Sequence, residues 1–455
     1  MKEIKVLAVT GMTGSGFPEE SFLAGMAADP DIVGMDAGST DGGANPLGSG
    51  AFGVSPVGIK RDLSIVLSKC VTNHKRLIIG SAGTAGGNIQ VEKFLELFRQ
   101  IKAENNLRDF KVAVVRSELD KDAIKKKLRE GLISPMPGLI PPLTEDEVDR
   151  SSHIVAQMGV EPFIQALQTD ADVILTGRSC DTAIYACYPI MMGISPALAF
   201  HAAKIMECGA YATDKGVSND SLLATFTKDW FELEPLNPAL KCTPMSVAEH
   251  TMYENGHPYV FSEPDGTLDC GSASFVQIRP NAVRSWGAVF TPAEPGKARV
   301  KLEGARAAGY RSISIIGVHE PAFIARYDEI VEKVKNEVFE QIGTEEELGY
   351  TIQFRAYGKN AVLQELETHA PAEHEIGIVI DVVADTQEAA HGMAAAFRSS
   401  IMHMPYEGRQ TIGGNIAFSF TPLESDLGIL YEFNVWHLMQ VEDMKAWFPC
   451  FVIAV

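Results

Sequence analysis

Positive charge is scarce in this sequence: 39 Lys and Arg against 59 Asp and Glu leave a formal net charge of −20 over 455 residues. Such a chain is repelled by phosphate backbones and anionic bilayers unless it concentrates a basic patch, and the run Lys125, Lys126, Lys127, Arg129 is short and reads as the exposed face of a helix. Neither nucleic-acid binding nor membrane association is expected. No apolar run approaches the roughly 20 residues of a transmembrane helix. The opening, Met1-Lys-Glu-Ile-Lys-Val-Leu-Ala-Val-Thr, lacks the length and cleavage flank of a signal peptide. Seven cysteines (Cys70, Cys180, Cys187, Cys208, Cys242, Cys270, Cys450) make an odd count without a Cys-x-x-Cys pair, which argues for reduced thiols in a cytoplasm and against a disulfide framework or a zinc site. Aromatics are few at 8%, but 46% hydrophobic residues and 22% charged ones exclude disorder.

What is present is alternation. Apolar runs at 4–10, 31–36, 76–80, 111–116 and 172–176 read as strands buried on both faces, separated by helical patterns near 19–28, 61–73, 90–104, 119–130 and 153–168. Parallel strands need crossovers, so residues 1–215 are expected to form a doubly wound, mostly parallel Rossmann-like α/β domain. Residues 216–455 are expected to hold a β-rich excursion to about 300, then a second α/β (α+β) unit built from 311–318, a helix near 320–341, strands at 350–357 and 375–384, a helix near 386–401, and 413–420.

The 40 glycines gather at strand ends. Strand one runs into Gly11-Met-Thr-Gly14-Ser15-Gly16, strand two into Asp36-Ala-Gly-Ser39-Thr40-Asp41-Gly-Gly43, and strand three into Gly80-Ser81-Ala-Gly83-Thr84-Ala-Gly-Gly87. Crevices beyond the carboxyl ends of parallel strands are where α/β proteins place ligands, and Gly/Ser/Thr loops there offer amides and hydroxyls to an anionic small molecule. The dinucleotide fingerprint fails, because Glu19 stands where its third glycine belongs, and no Walker pattern occurs. Asp36 and Asp41 could coordinate a divalent metal, share acid/base work or cap the next helix. Strand five leads into Gly177-Arg178-Ser-Cys180-Asp181, where Arg178 could clamp a carboxylate or phosphate, or merely pair with Asp181. Cys180 could serve as a nucleophile if its thiol were acidified. Among the eleven histidines His403 and His437 are the candidates for a proton carrier, while His369 and His374, five apart, do not share a helical face.

These segments together resemble the acyclic terpene utilisation AtuA family. The resemblance rests on Asp36-Ala-Gly-Ser-Thr-Asp41 with Leu47-Gly-Ser-Gly50, Gly80 to Gly87, Gly177-Arg-Ser-Cys-Asp181, Glu207-Cys-Gly-Ala210, Tyr406-x-Gly-Arg409, Gly414-Asn415-x-Ala-Phe418 and Val435-Trp-His437-Leu-Met439. It implies a place in bacterial carboxylic-acid catabolism through CoA thioesters, with CoA arriving as part of the substrate, and a lyase step on a branched hydroxyacyl-CoA. It also implies assembly as an oligomer and a small separate companion subunit. The expected activity is a lyase, by hydration/dehydration or C–C cleavage, on a small hydroxy carboxylate or acyl-CoA. Acyl or CoA transfer and non-enzymatic ligand binding are the alternatives. The expected catalytic set is Asp36, Asp41, Asp181, His403 and His437. Gly14, Ser15, Ser39, Thr40, Ser81, Gly83, Thr84, Arg178, Arg409 and Asn415 are expected to bind substrate.

Overall fold

A computed structural model of the chain describes residues 3–254, 256–368, 374–410 and 415–455; His369 and Gly414 lie outside them. Its center is a ten-stranded mixed sheet. Five parallel strands form the middle: β1 (Ile4–Ala8), β2 (Ile32–Gly38), β3 (Arg76–Thr84), β4 (Lys111–Val115) and β5 (Val173–Thr176), in the spatial order β1-β2-β3-β5-β4. Antiparallel strands extend both edges. Leu222–Phe226 pairs with β1 and is followed outward by Phe231–Pro235, Ala282–Trp286 and Ser274–Arg279, while Cys450–Ala454 pairs with β4.

The strand period of two explains why the parallel strands read as continuous apolar runs. Leu7, Leu77, Ile79, Val112, Val114 and Val173 point to one face, against Phe22, Leu63, Val66, Phe94 and Phe98 of helices Glu19–Ala27, Pro56–Thr72 and Asn88–Asn105. Val6, Ile78, Ala113, Val115 and Ile174 point to the other, against Phe163, Ile184, Tyr185 and Phe200 of helices Val160–Leu167, Asp181–Met191 and Pro196–Met206. The helix starts follow ordinary chemistry. Ser55 accepts from Gly58 N with Pro56 in the first turn, and Ser195 caps Leu198 N with Pro196 next to it.

Two segments depart from the expected elements. Residues 153–168 are not one helix: His153–Ala156 is a strand antiparallel to 302–305, and the helix begins only at Val160. The β-branched Ile154-Val155 and the helix-breaking Gly159 are its physical reason. Within 415–420 no strand forms, and Ala417 makes an isolated bridge to Gly317.

The chain divides into two compact units, Met1–Arg306 with Glu432–Val455, and Ala307–Tyr431. Residue 215 lies inside the first unit. The second carries antiparallel strands Tyr350–Tyr357, Ile376–Ala384 and the 307–318 portion of Ala298–Val318, with helices Tyr327–Gln341 and Gln387–His403 packed on one face through Ile330, Val334, Phe397, Ile378 and Ile380. No helix among the described residues is long and apolar enough to cross a membrane.

Candidate functional site

The carboxyl ends of β1, β2, β3 and β5 open onto a cleft of about 450 Å³ within the first unit. Asp36, Gly38, Ser39, Thr40 and Asp41 line it from β2, Thr84 from β3, Arg178 and Asp181 from β5 and the helix start, and Glu207 and Cys208 from the end of helix Pro196–Met206. Local backbone holds these groups in place. Gly86, with φ +65°, lets the loop after β3 lie directly against the end of β5: its carbonyl accepts Arg178 N at 3.2 Å, and a Cβ there would sit 2.1 Å from that nitrogen. Ser81 and Thr84 also have positive φ, 51° and 79°. For a β-branched threonine that is strained backbone, worth about 1–3 kcal/mol, of the kind that surrounding structure sustains at functional sites.

A buried network of charge runs under the cleft. Arg178 donates from Nε to Glu303 Oε2 at 3.0 Å and from Nη2 to Oε1 at 3.4 Å, with Ser81 Oγ at 3.3 Å and Asp181 Oδ1 at 3.5 Å from Nη1. Lys301 adds a second cation to Glu303 at 2.9 Å. Burial alone would raise the Glu303 carboxyl, but Arg178 and Lys301 overcome it and hold its pKa below the usual range. Arg178, expected to meet a ligand anion, thus meets a carboxylate of its own chain. On the neighboring helix Lys204 donates to Glu207 three residues on. Glu207 is pushed up to about 7 by burial, with Asp181 adding to the shift and Lys204 opposing it. Asp36 is raised well above the ordinary aspartate value, by burial first and then by Asp181 and Glu207, although its Oδ1 accepts Gly38 N at 2.8 Å. The site therefore holds two buried carboxyls raised from their ordinary values, Glu207 to about 7 and Asp36 well above the aspartate range.

A second chamber of about 720 Å³ shares Asp181, Glu207 and Glu254 with the cleft and is further lined by Gln157, Cys180, Thr182, Lys204, His257 and Glu263. Glu263 accepts Thr182 Oγ1 at 2.9 Å, and burial pushes it up to about 8. Burial, with Glu263 and Asp181 nearby, drives the Cys180 thiol well above its ordinary value, the opposite of what a nucleophilic thiolate needs. Among the described residues no three His, Cys, Asp or Glu converge as a set of metal ligands.

A family model described as acyclic terpene utilisation family protein AtuA matches residues 58–227 and 240–421. The chain belongs to the AtuA family. Neither a curated protein nor a solved structure matches it.

The AtuA motifs named from the sequence do not all converge. Asp36, Ser39, Thr40, Asp41, Thr84, Arg178 and Asp181 line one cleft, and Ser81 lies buried behind it against Arg178 and Ser179. Gly83, with φ +66°, is not in its lining. Gly14 and Ser15 stand apart, and the amides of Gly14 and Gly16 donate to Asp62 Oδ2 at 2.8 and 3.1 Å. His437 is a buried histidine with both ring nitrogens engaged: Nδ1 accepts Trp436 N at 2.9 Å, and Nε2 donates to Pro141 O at 3.0 Å. His403, Arg409 and Asn415 belong to the second unit. There His403 lines a small groove between helices, Arg409 donates to the carbonyls of His403 and Met404, and Asn415 donates to the Tyr406 hydroxyl.

Sequence reasoning passed over Lys204, Glu263, Glu303 and Tyr185. A lysine at the end of the otherwise apolar Pro196-Ala-Leu-Ala-Phe-His-Ala-Ala-Lys204-Ile-Met, three residues before Glu207, was a usable signal. Tyr185, one helical turn after Asp181, is fully buried, and its hydroxyl has no hydrogen-bond partner among the described residues.

Proposed function

We propose that this AtuA protein is a lyase that performs acid/base chemistry on a hydroxyacyl thioester bound in the first-unit cleft. The observation that carries the reading is that Glu207, pushed up to about 7, and Asp36, raised well above the ordinary aspartate value, line the same cleft. Two carboxyls with raised pKa values can share the base and acid roles of an elimination. In a dehydration, Glu207 as carboxylate takes the proton from the carbon beside the thioester carbonyl. Asp36 gives its proton to the departing hydroxyl, which leaves as water. In C–C cleavage the same base would instead remove the 3-hydroxyl proton, the bond between C2 and C3 would break to a carbonyl product and a thioester enolate, and Asp36 would return a proton to the enolate carbon. Lys204, donating to Glu207, and Asp181, beside Arg178, hold the charge balance of the pair.

Charge favors a thioester over a free hydroxy carboxylate. Apart from Asp36, the cleft lining carries Asp41, Asp181, Glu207 and Glu254 against Arg178 among the described residues, and Arg178 is already matched by Glu303. A neutral acyl end enters such a site without like-charge repulsion, leaving the phosphates of a CoA carrier toward solvent.

The test is turnover of a panel of 3-hydroxyacyl-CoA and 2-enoyl-CoA thioesters, followed by chromatography and mass spectrometry. Glu207→Gln and Asp36→Asn should each lower kcat by about 10²-fold or more. Because Glu207 must be deprotonated, wild-type kcat/KM should rise with pH through about 7. Unimpaired turnover in either variant would overturn the assignment.

A further inference from the structure

Thr84 presents a feature that acid/base chemistry does not account for. Its side chain is 3% exposed and lines the cleft, yet Oγ1 has no hydrogen-bond partner among the described residues. Buried hydroxyls are nearly always satisfied, and one left alone lowers stability. The site shows three further signs of being built around this atom. The backbone at Thr84 is held at φ +79°, which a branched side chain adopts only under constraint, and its carbonyl accepts Ser39 N at 3.2 Å, tying β3 to the β2 loop. Across from it stands Gly53, also in the cleft lining, where a Cβ would come within 2.4 Å of Oγ1. Any other residue at 53 would clash with the hydroxyl.

We infer that Thr84 Oγ–H is the hydrogen-bond donor for an uncharged oxygen of the ligand, a hydroxyl or a thioester carbonyl, and that its bond is completed only when ligand is bound. This rests on the hydroxyacyl thioester reading above. The chemistry of the surroundings selects the acceptor. Asp41, Asp181 and Glu254 share the cleft lining with Thr84, so an anionic oxygen there would face carboxyl groups, whereas a neutral oxygen gains a donor at no electrostatic cost.

The experiment compares wild type with Thr84→Val, which keeps the branched shape and therefore the same backbone strain, using 3-hydroxybutyryl-CoA and butyryl-CoA as calorimetric probes. Val should weaken 3-hydroxybutyryl-CoA roughly tenfold. Equal weakening of butyryl-CoA assigns the bond to the carbonyl, and unchanged butyryl-CoA assigns it to the hydroxyl. Without ligand, Val should leave the thermal midpoint unchanged or raise it, because it removes an unsatisfied buried group. A fall of several degrees, which would reveal a partner within the fold, overturns the inference. So does unchanged affinity for 3-hydroxybutyryl-CoA while wild type binds it, and that result leaves the thioester reading standing. Failure of wild type to bind either probe overturns the thioester reading and the inference with it.

Discussion

Replacing Glu263 by glutamine should stabilize the protein, and the gain should grow with pH. The carboxyl accepts Thr182 Oγ1 at 2.9 Å, and burial pushes its pKa to about 8 from an ordinary value of 4.5. A carboxyl raised in this way binds more protons in the folded chain than in the unfolded one. Its contribution is fully present below pH 4.5 and is lost as pH climbs through 8. At about 1.4 kcal/mol per pH unit, that interval amounts to about 5 kcal/mol, an upper bound because the carboxyl borders an open chamber. Glutamine mimics the neutral form at every pH and keeps a carbonyl for Thr182. The stability gap between Glu263→Gln and wild type should therefore be small at pH 5, about 3 kcal/mol at pH 7, and largest at pH 9. Urea unfolding followed by tryptophan fluorescence reads this locally, because Trp230, Trp286, Trp436 and Trp447 all belong to the unit that holds Glu263. A gap that stays constant or shrinks with rising pH would refute the reasoning.

Two other outcomes are expected. Glu303→Ala strips Arg178 and Lys301 of their shared buried carboxylate and should cost about 3–5 kcal/mol in the same unfolding assay; a loss below about 1 kcal/mol would mean the network is not holding the site. Cys180, with its thiol raised well above the usual value, should escape iodoacetamide in the native protein at pH 7.5 when peptides are mapped by mass spectrometry, and rapid alkylation would contradict its described surroundings.

The parallel strands were legible because burial on both faces writes itself into the sequence as short unbroken apolar runs. The same logic located the cleft, since glycine and hydroxyl residues cluster where those strands end. What could not be read was pairing at a distance. Glu303 lies in an extended segment with no local sign that it will meet Arg178, 125 residues earlier. The arginine therefore looked available for an anion. Histidine drew attention because near-neutral titration belongs to His by default, but burial pushes Glu207 up to about 7, and His437 is engaged in backbone hydrogen bonds. The segment 153–168 misled because only three residues, Gln157 to Gly159, separate its four extended residues from a true helix.

The carboxylate of Asp62, seated on the amides of Gly14 and Gly16, has a consequence for redesign. In a nucleotide-binding relative of this topology those amides would face a pyrophosphate; here the chain carries its own permanent substitute. Restoring a glycine at Glu19 would repair the written fingerprint and still leave the Gly14 and Gly16 amides engaged by Asp62. An engineer wishing to graft a nicotinamide cofactor onto this scaffold would have to begin at residue 62, in a helix the fingerprint does not mention.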